Sequence, residues 1–176
     1  MALYRKRYRI ESTRHPAWNY GNAGWYYVTI CTADHERFFG EVVDGEMRYS
    51  REGRLACREL ALIPTHFPNV RIDTFQVMPD HLHAIIVIEQ SLSSLPNEPP
   101  DAGTAMSRIS PRCGSLPTII RSFKGAMTRL SRRGGRPDFA WQERYHDRII
   151  RSERALDNIR QYIRDNPARW CKPPLA

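Results

Sequence analysis

Long apolar runs are absent from this chain of 176 residues. No stretch approaches the roughly 18 to 20 consecutive apolar residues that a membrane-spanning helix needs. The first segment, MALYRKRYRIESTRH, carries charges with no apolar segment after them, which is not the pattern of a secretion signal. We therefore expect no membrane partner and a cytoplasmic location. With 41% apolar residues, the chain should form one domain with a sizeable core.

Cysteine is scarce and widely spaced. The four cysteines are Cys31, Cys57, Cys113 and Cys171. They form no CxxC pair and no short spacing, which argues against a zinc knuckle and against a disulfide framework. We expect four reduced thiols.

Acidic residues are few in the last third of the chain, where the positive charge is concentrated. The formal net charge is +8, and residues 121–172 hold fourteen Lys and Arg against six acidic residues. Residues 16–120 hold eight against twelve, and residues 1–15 hold five against one. The basic character therefore belongs to the C-terminal third and to an N-terminal arm.

The basic third combines arginine with aromatic residues. Its aromatic side chains include Trp141, Tyr145, Tyr162 and Trp170. Arginine binds phosphate oxygens through a planar fork, and aromatic rings stack on unpaired bases. This combination predicts a nucleic-acid partner. The alternative is a solvated basic surface without a specific partner.

The periodicity of apolar residues predicts a mixed fold. The predicted elements are, in order, a strand at 25–32, a hairpin turning at Asp44-Gly45, a helix from Ser50 to Pro64, strands at 70–80 and 81–90, an amphipathic helix at 116–133, a loop with a short strand within 138–151, and a helix at 152–167 that ends at Asn166-Pro167. Residues 91–115, rich in Ser, Pro and Gly, are interpreted as a mobile insertion. The order indicates an α+β domain with one mainly antiparallel sheet.

Two histidines open the strand HLHAIIVIEQ. His81 and His83 are two residues apart, so their side chains point to the same face, about 7 Å apart at the backbone. The rest of the strand is apolar on both faces, and no obvious hydrogen-bond partners for a buried imidazole pair stand beside it. The pattern favours a divalent metal site for zinc, manganese or magnesium over a buried neutral pair.

Five segments resemble those of one superfamily. VMPDHLHAIIVI is similar to the part of HUH endonucleases in which two histidines flank one hydrophobic residue on a central strand. The other four segments resemble blocks of the one-tyrosine transposases associated with repetitive extragenic palindromes (REP elements). These segments are WYYVTICTADHERFFG, IIRSFKGAMTRL, WQERYHDRIIRSERAL and YIRDNPARW.

The resemblance implies a fold and an activity. The fold would be a ferredoxin-like, mainly antiparallel sheet packed by helices over residues 24–170, after a basic arm at 1–23. The activity would be cutting and rejoining single-stranded DNA next to a hairpin, in monomers or dimers. His81 and His83 would hold a Mg²⁺ or Mn²⁺ ion on the scissile phosphate. A tyrosine would attack phosphorus, giving a 5′-phosphotyrosine and a free 3′-hydroxyl.

The resemblance also directs the search for the tyrosine. In the family the nucleophile usually lies on the helix after the histidine strand, with a third metal ligand one turn further on, but residues 119–133 contain no tyrosine. Tyr145, in the family-like block QERYHDR, is the predicted nucleophile. Its alternative role is stacking on a base or packing under Trp141. The third ligand is open among Gln142, His146 and Asp80.

Arginine and lysine residues around these blocks are candidates for phosphate contacts. They are Lys124, Arg129, Arg132, Arg144, Arg148 and Arg151. Two alternative functions stay open at this point. The first is a hairpin-DNA-binding module that does not cut DNA. The second is a metal-dependent hydrolase unrelated to transposition.

Overall fold

A computed structural model describes residues 18–90 and 114–170 of the chain. The strands of these two ranges are β1 (Gly24–Cys31), β2 (Gly40–Val43), β3 (Glu46–Tyr49), β4 (Val70–Val77), β5 (His81–Ile88) and β6 (His146–Ile150). The helices are α1 (Arg51–Ala61), α2 (Ile63–His66), α3 (Leu116–Arg133) and α4 (Glu153–Trp170). Among these residues, no helix is long and apolar enough to cross a membrane.

Four strands form the central sheet in the order β4-β5-β1-β6, and all neighbours are antiparallel. β2 and β3 form a separate hairpin. Without that hairpin, the four remaining strands have the order of a ferredoxin-like sheet. The predicted α+β class is confirmed, and so is the central position of the histidine strand.

The two faces of the sheet pack against different helices. The larger core cluster lies under α1 and α3 and includes Val28, Ile86 and Phe123. A smaller cluster lies under α4 and includes Ile85 and Ile163. Because side chains alternate along a strand, the odd-numbered residues of β5 all face α4. β5 is thus covered on both faces, as its continuous apolar sequence predicts.

Local sequence signals explain how the elements begin and turn. The side chain of Ser50 accepts a hydrogen bond from the backbone N–H of Gly53 at 3.0 Å, capping α1 as predicted. Asp44 and Gly45 both have positive φ, 53° and 79°, which is the geometry of a two-residue hairpin turn. The predicted hairpin between β2 and β3 is therefore confirmed.

One predicted boundary is wrong. α4 does not end at Asn166-Pro167 but continues through Pro167 to Trp170. A proline inside a helix removes one backbone hydrogen bond, and burial of Pro167 offsets that loss. Within the predicted arm, Tyr20 is buried and its carbonyl accepts a hydrogen bond from the Leu116 N–H at 3.0 Å. Residues 1–17 and most of the 91–115 insertion lie outside the described residues.

The smaller cluster should determine how firmly α4 is held. We expect Ile163→Ala to lower the free energy of unfolding by about 2 to 4 kcal/mol, because it removes a fully buried side chain from this cluster. Urea denaturation at pH 7 measures the change. The adjacent exposed variant Arg164→Ala should stay within about 0.5 kcal/mol of the wild type. An equal loss in both variants would contradict this account.

Candidate metal and nucleophile site

The two histidines converge at the start of β5. The Nε2 atoms of His81 and His83 lie 3.1 Å apart, and the rings meet edge to face with centroids 4.7 Å apart. His83 is buried, while the His81 side chain keeps 15% exposure. The site is therefore open to solvent mainly on the His81 side.

Asp80 orients the first histidine. Its Oδ1 lies 2.6 Å from Nδ1 of His81, so Nδ1–H donates to the carboxylate and the lone pair is left on Nε2. The other oxygen, Oδ2, lies 3.1 Å from Nδ1 of His35. Carboxylates that accept a hydrogen bond from the far nitrogen of an imidazole are common partners of metal-binding histidines.

Two hydroxyl groups orient the second histidine. Nδ1 of His83 lies 2.8 Å from the Tyr27 hydroxyl and 2.9 Å from Oγ1 of Thr29. Thr29 in turn donates to the Tyr27 hydroxyl at 3.3 Å. This arrangement is satisfied when Nδ1–H of His83 donates to Oγ1 of Thr29. Nε2 of His83 then carries a lone pair, as Nε2 of His81 does.

Burial decides the charge state of the site. Desolvation, followed by the nearby His81, lowers the pKa of His83 to about 3, so this imidazole is neutral at physiological pH. Desolvation also raises the pKa of Tyr27 to about 12. Burial alone would raise the pKa of Asp80, but hydrogen bonds and charges from His81 and His35 lower it below its ordinary value. A carboxylate therefore stands behind His81, next to a neutral His83.

This donor set fits a divalent ion. Two lone pairs that face each other at 3.1 Å repel unless a proton or a cation lies between them. Two imidazole nitrogens that each lie about 2.1 Å from one ion, at right angles, are separated by about 3 Å. Within the described ranges, no group of three or more His, Cys, Asp and Glu side chains is placed to hold a metal.

One stripe of α4 covers the histidine pair. Tyr162, Asn166 and Trp170 follow each other at helical intervals of four residues. The Tyr162 ring lies 5.4 Å from the His83 ring, and the Trp170 ring lies 5.6 Å from the His81 ring. Asn166 lies between them on the stripe and is buried. Tyr162 itself is 40% exposed.

An ion pair anchors this helix on the sheet. Arg160 donates from Nε and from one terminal nitrogen to the two oxygens of Asp73, at 2.8 and 2.6 Å. Asp73 lies at an irregularity where β4 shifts register against β5. The Arg160 hydrogen bond lowers the pKa of Asp73, and Arg160 also lies over the Trp25 ring at 5.6 Å. These contacts hold α4 two residues before Tyr162.

Tyr145 lies on the other face of the sheet. His146 pairs with Thr29, whose side chain contacts His83, so His146 shares the histidine face and Tyr145, one residue earlier, points the opposite way. Tyr145 packs against the larger cluster and lines a groove along α3. The structure brings His81 and His83 together but does not bring Tyr145 to them.

The groove along α3 contains half of the predicted phosphate contacts. It has a volume of about 670 Å³ and is lined by basic side chains together with Thr128, Glu143 and Tyr145. The basic residues are Arg121, Lys124, Arg129 and Arg132, and we call this surface the α3 groove. Lys124 also has a structural part, since its ammonium donates to the backbone carbonyl of Gln142.

The other predicted contacts are distributed around the edge strand β6. Arg144 precedes it and is exposed, and Arg148 faces the histidine side because it pairs with Tyr27. Arg151 follows it and lies over the Trp18 ring at 5.9 Å. The six predicted residues thus lie on both faces of the sheet and along the edge that joins them.

The predicted third ligands occupy different places. Asp80 contacts His81 through the nitrogen that does not face His83, so it acts behind the pair. His146 is exposed on the histidine face, two strands from β5. Gln142 is exposed, and its backbone bonds to Cys31 and Lys124. Cys31 and Cys57 form no disulfide, while Cys113 and Cys171 lie outside the described residues.

A comparison with curated proteins shows the family. An uncharacterized protein of Haemophilus influenzae is 33% identical over 173 residues, which cover 94% of this chain and 92% of that protein. The chain belongs to the family of this Haemophilus protein. No protein-family model matches the sequence.

A comparison with solved structures shows the fold of this family member. A REP-associated tyrosine transposase, solved with a REP hairpin, has a TM-score of 0.56 at 16% identity, over 97% of this chain and 75% of the transposase. The chain has the same fold, which confirms the predicted HUH endonuclease fold. A Deinococcus radiodurans protein assigned as a transposase has a TM-score of 0.47 at 15% identity, over 89% of this chain and 97% of its own.

The sequence analysis assigned neither Tyr162 nor Asn166 to the surroundings of the histidine pair. Their spacing of four residues on an amphipathic helix was a signal, because it places both side chains on one stripe. The Asn166-Pro167 pair, which is typical of a helix end, concealed that signal. The sequence of this chain alone does not indicate which strand the stripe covers.

The buried His83 should make stability depend on pH. Its pKa is about 3 in the folded chain and about 6.5 when unfolded, so the unfolded state gains a proton first as the pH falls. We expect this contribution to be complete above pH 6.5 and to decline toward pH 3, by about 1 to 2 kcal/mol between pH 7 and pH 5. In His83→Gln, the free energy of unfolding should lack this decrease between pH 7 and pH 5. Urea denaturation at pH 7, 6 and 5 measures it.

His66→Gln is the matched control, because His66 is exposed. It should keep the pH dependence of the wild type. Equal slopes in the two variants would contradict the assignment to His83.

Proposed function

We propose that this chain cuts and rejoins single-stranded DNA through a covalent phosphotyrosine intermediate, with His81 and His83 as metal ligands and Tyr162 as nucleophile. The observation that carries the proposal is the convergence of the two Nε2 atoms directly beneath an exposed tyrosine. The similarity of fold to a tyrosine transposase supports it.

The metal site would consist of the histidine pair and oxygen ligands. A bound Mg²⁺ or Mn²⁺ would polarise the scissile phosphate as a Lewis acid. Asn166 is our proposal for the third protein ligand, because it lies on the stripe between the two rings that cover the pair. Asp80 would hold the His81 ring in place, and Thr29 and Tyr27 would hold the His83 ring.

Tyr162 is preferred to Tyr145 because of its position. Tyr162 is exposed and lies edge to face on His83, whereas Tyr145 lines the α3 groove on the other face of the sheet. The Tyr162 oxygen would form a bond to phosphorus while the bond from phosphorus to the 3′-oxygen breaks. The phenol loses one proton, and the departing 3′-oxygen gains one to become a hydroxyl. The new ester keeps the energy of the phosphodiester, so rejoining is the reverse reaction.

The DNA would contact both faces of the sheet. The scissile strand would approach the histidine pair beside α4, with Trp170 as a stacking surface for a base. Arg144 and Arg148 would contact its phosphates along the edge strand β6, and Arg151 would do so at the C-terminal end of β6. The α3 groove would bind the remaining phosphates through Arg129, Arg132 and Lys124. We propose a hairpin as the partner, in a complex of one or two protein chains.

The second candidate function is DNA binding without cleavage. The extent of the basic α3 groove, which lies away from the histidine pair, favours it. A protein of this kind would bind hairpin DNA with a strong dependence on salt and would form no covalent product.

We expect a covalent protein-DNA adduct when the protein, Mn²⁺ and a single-stranded hairpin oligonucleotide are combined. An SDS gel of labelled DNA detects the adduct, and mass spectrometry of the attached peptide locates it. Tyr162→Phe should abolish the adduct because it removes the attacking oxygen. Tyr145→Phe is the matched control and should retain it.

Other outcomes of this assay have distinct meanings. An adduct in Tyr162→Phe and none in Tyr145→Phe would identify Tyr145 as the nucleophile. Tight binding without any adduct of the wild type would favour the non-cutting module. Formation of the adduct in EDTA would contradict the role of His81 and His83.

The α3 groove should contribute phosphate contacts. We expect the double variant Arg129→Glu, Arg132→Glu to weaken hairpin binding at least about tenfold and to reduce the slope of log affinity against log salt by about 1 to 2, because two phosphate contacts are lost. Fluorescence anisotropy at several salt concentrations measures both quantities.

Arg37→Glu, Arg48→Glu is the matched control, since it changes the net charge equally at exposed positions outside the groove. It should bind within about threefold of the wild type, because long-range charge effects are screened at physiological salt. An equal loss in both double variants would show that net charge, rather than the groove, governs binding.

A further inference from the structure

His35 is the outermost member of a chain of polar contacts that ends at the histidine pair. Its Nδ1 contacts Oδ2 of Asp80 at 3.1 Å, and the other oxygen of Asp80 contacts His81 at 2.6 Å. The His35 side chain is 65% exposed, whereas that of Asp80 is 12% exposed. An exposed imidazole therefore reaches a nearly buried carboxylate that orients a metal ligand.

The loop that carries His35 is fastened to the turn that carries Asp80. The backbone N–H and the hydroxyl of Thr32 both donate to the Asp80 carbonyl, at 2.9 and 2.8 Å. Further along, the Phe39 N–H donates to the Pro79 carbonyl at 3.0 Å. These bonds hold both ends of the loop, Thr32 and Phe39, on the turn. The position of His35 between them therefore follows from the fold.

The backbone at His35 has an uncommon conformation. Asp34 and His35 are consecutive non-glycine residues with φ of 52° and 55°. This left-handed region costs energy for residues other than glycine, although Asn and Asp tolerate it. The conformation directs the His35 ring toward Asp80, and its cost is offset by the hydrogen bonds of the loop.

We propose that His35 is a positioning residue for the metal site: by holding one oxygen of Asp80, it fixes the other oxygen on His81 and so fixes the direction of the His81 lone pair. The inference rests on the proposed metal-binding role of His81 and His83. A carboxylate with one oxygen held has fewer orientations in which it can accept from His81. Residues behind the ligands commonly change metal affinity by about 10- to 100-fold when removed, and His35 acts one step further out.

The test is Mn²⁺ affinity of the purified full chain without DNA, measured from the electron paramagnetic resonance signal of free Mn²⁺. We expect His35→Ala to weaken binding about three- to tenfold. His35→Asn should recover most of that loss, because its amide nitrogen occupies nearly the position of Nδ1 and asparagine tolerates positive φ. Co²⁺ absorption of the same variants should show a weaker or altered ligand field only in His35→Ala.

Asp34→Ala is the matched control for backbone strain, since Asp34 has the same left-handed conformation beside His35. It should bind Mn²⁺ within about twofold of the wild type. Equal affinities of His35→Ala and Asp34→Ala would overturn the positioning role. If binding is absent from the wild type, or persists in His81→Ala, the proposed metal site itself is overturned, together with the role of His35.

Discussion

The antiparallel pairing of β5 with β1 and β4 is the constraint on which the site depends. It assigns His81 and His83 to the same face as Ile85 and Val87, under α4. It also brings Thr29 next to His83, where its hydroxyl contacts Nδ1 at 2.9 Å. A shift of one residue would turn both imidazoles toward the core under α3 and leave the α4 face without polar groups.

The two faces of the sheet have separate chemistry. The α4 face holds the histidine pair with a tyrosine and an indole against it, and burial keeps His83 neutral. The other face holds the basic α3 groove. β6 is the edge strand between the two faces; Arg148 is exposed on it, and Arg144 and Arg151 are exposed at its two ends.

Most of the fold was predictable because its signals are local. The central strand, the Asp44-Gly45 turn and the Ser50 cap each depend on neighbouring residues, and each prediction is confirmed. The end of α4 was mispredicted because burial of Asn166 and Pro167 in the folded chain overrides the preference of proline for helix ends. The roles of Tyr145, His81 and His83 in the reaction stay predictions.

By itself, the sequence determined the pairing of two imidazoles on one face, because residues two apart on a strand share a side whatever surrounds them. Only the tertiary structure decided which tyrosine stands over that pair. Tyr145 and His146 are adjacent in sequence but point to opposite faces, whereas Tyr162 reaches His83 because Asp73 and the apolar cluster dock α4 there. Such docking depends on contacts between residues far apart in the chain, which no local pattern encodes.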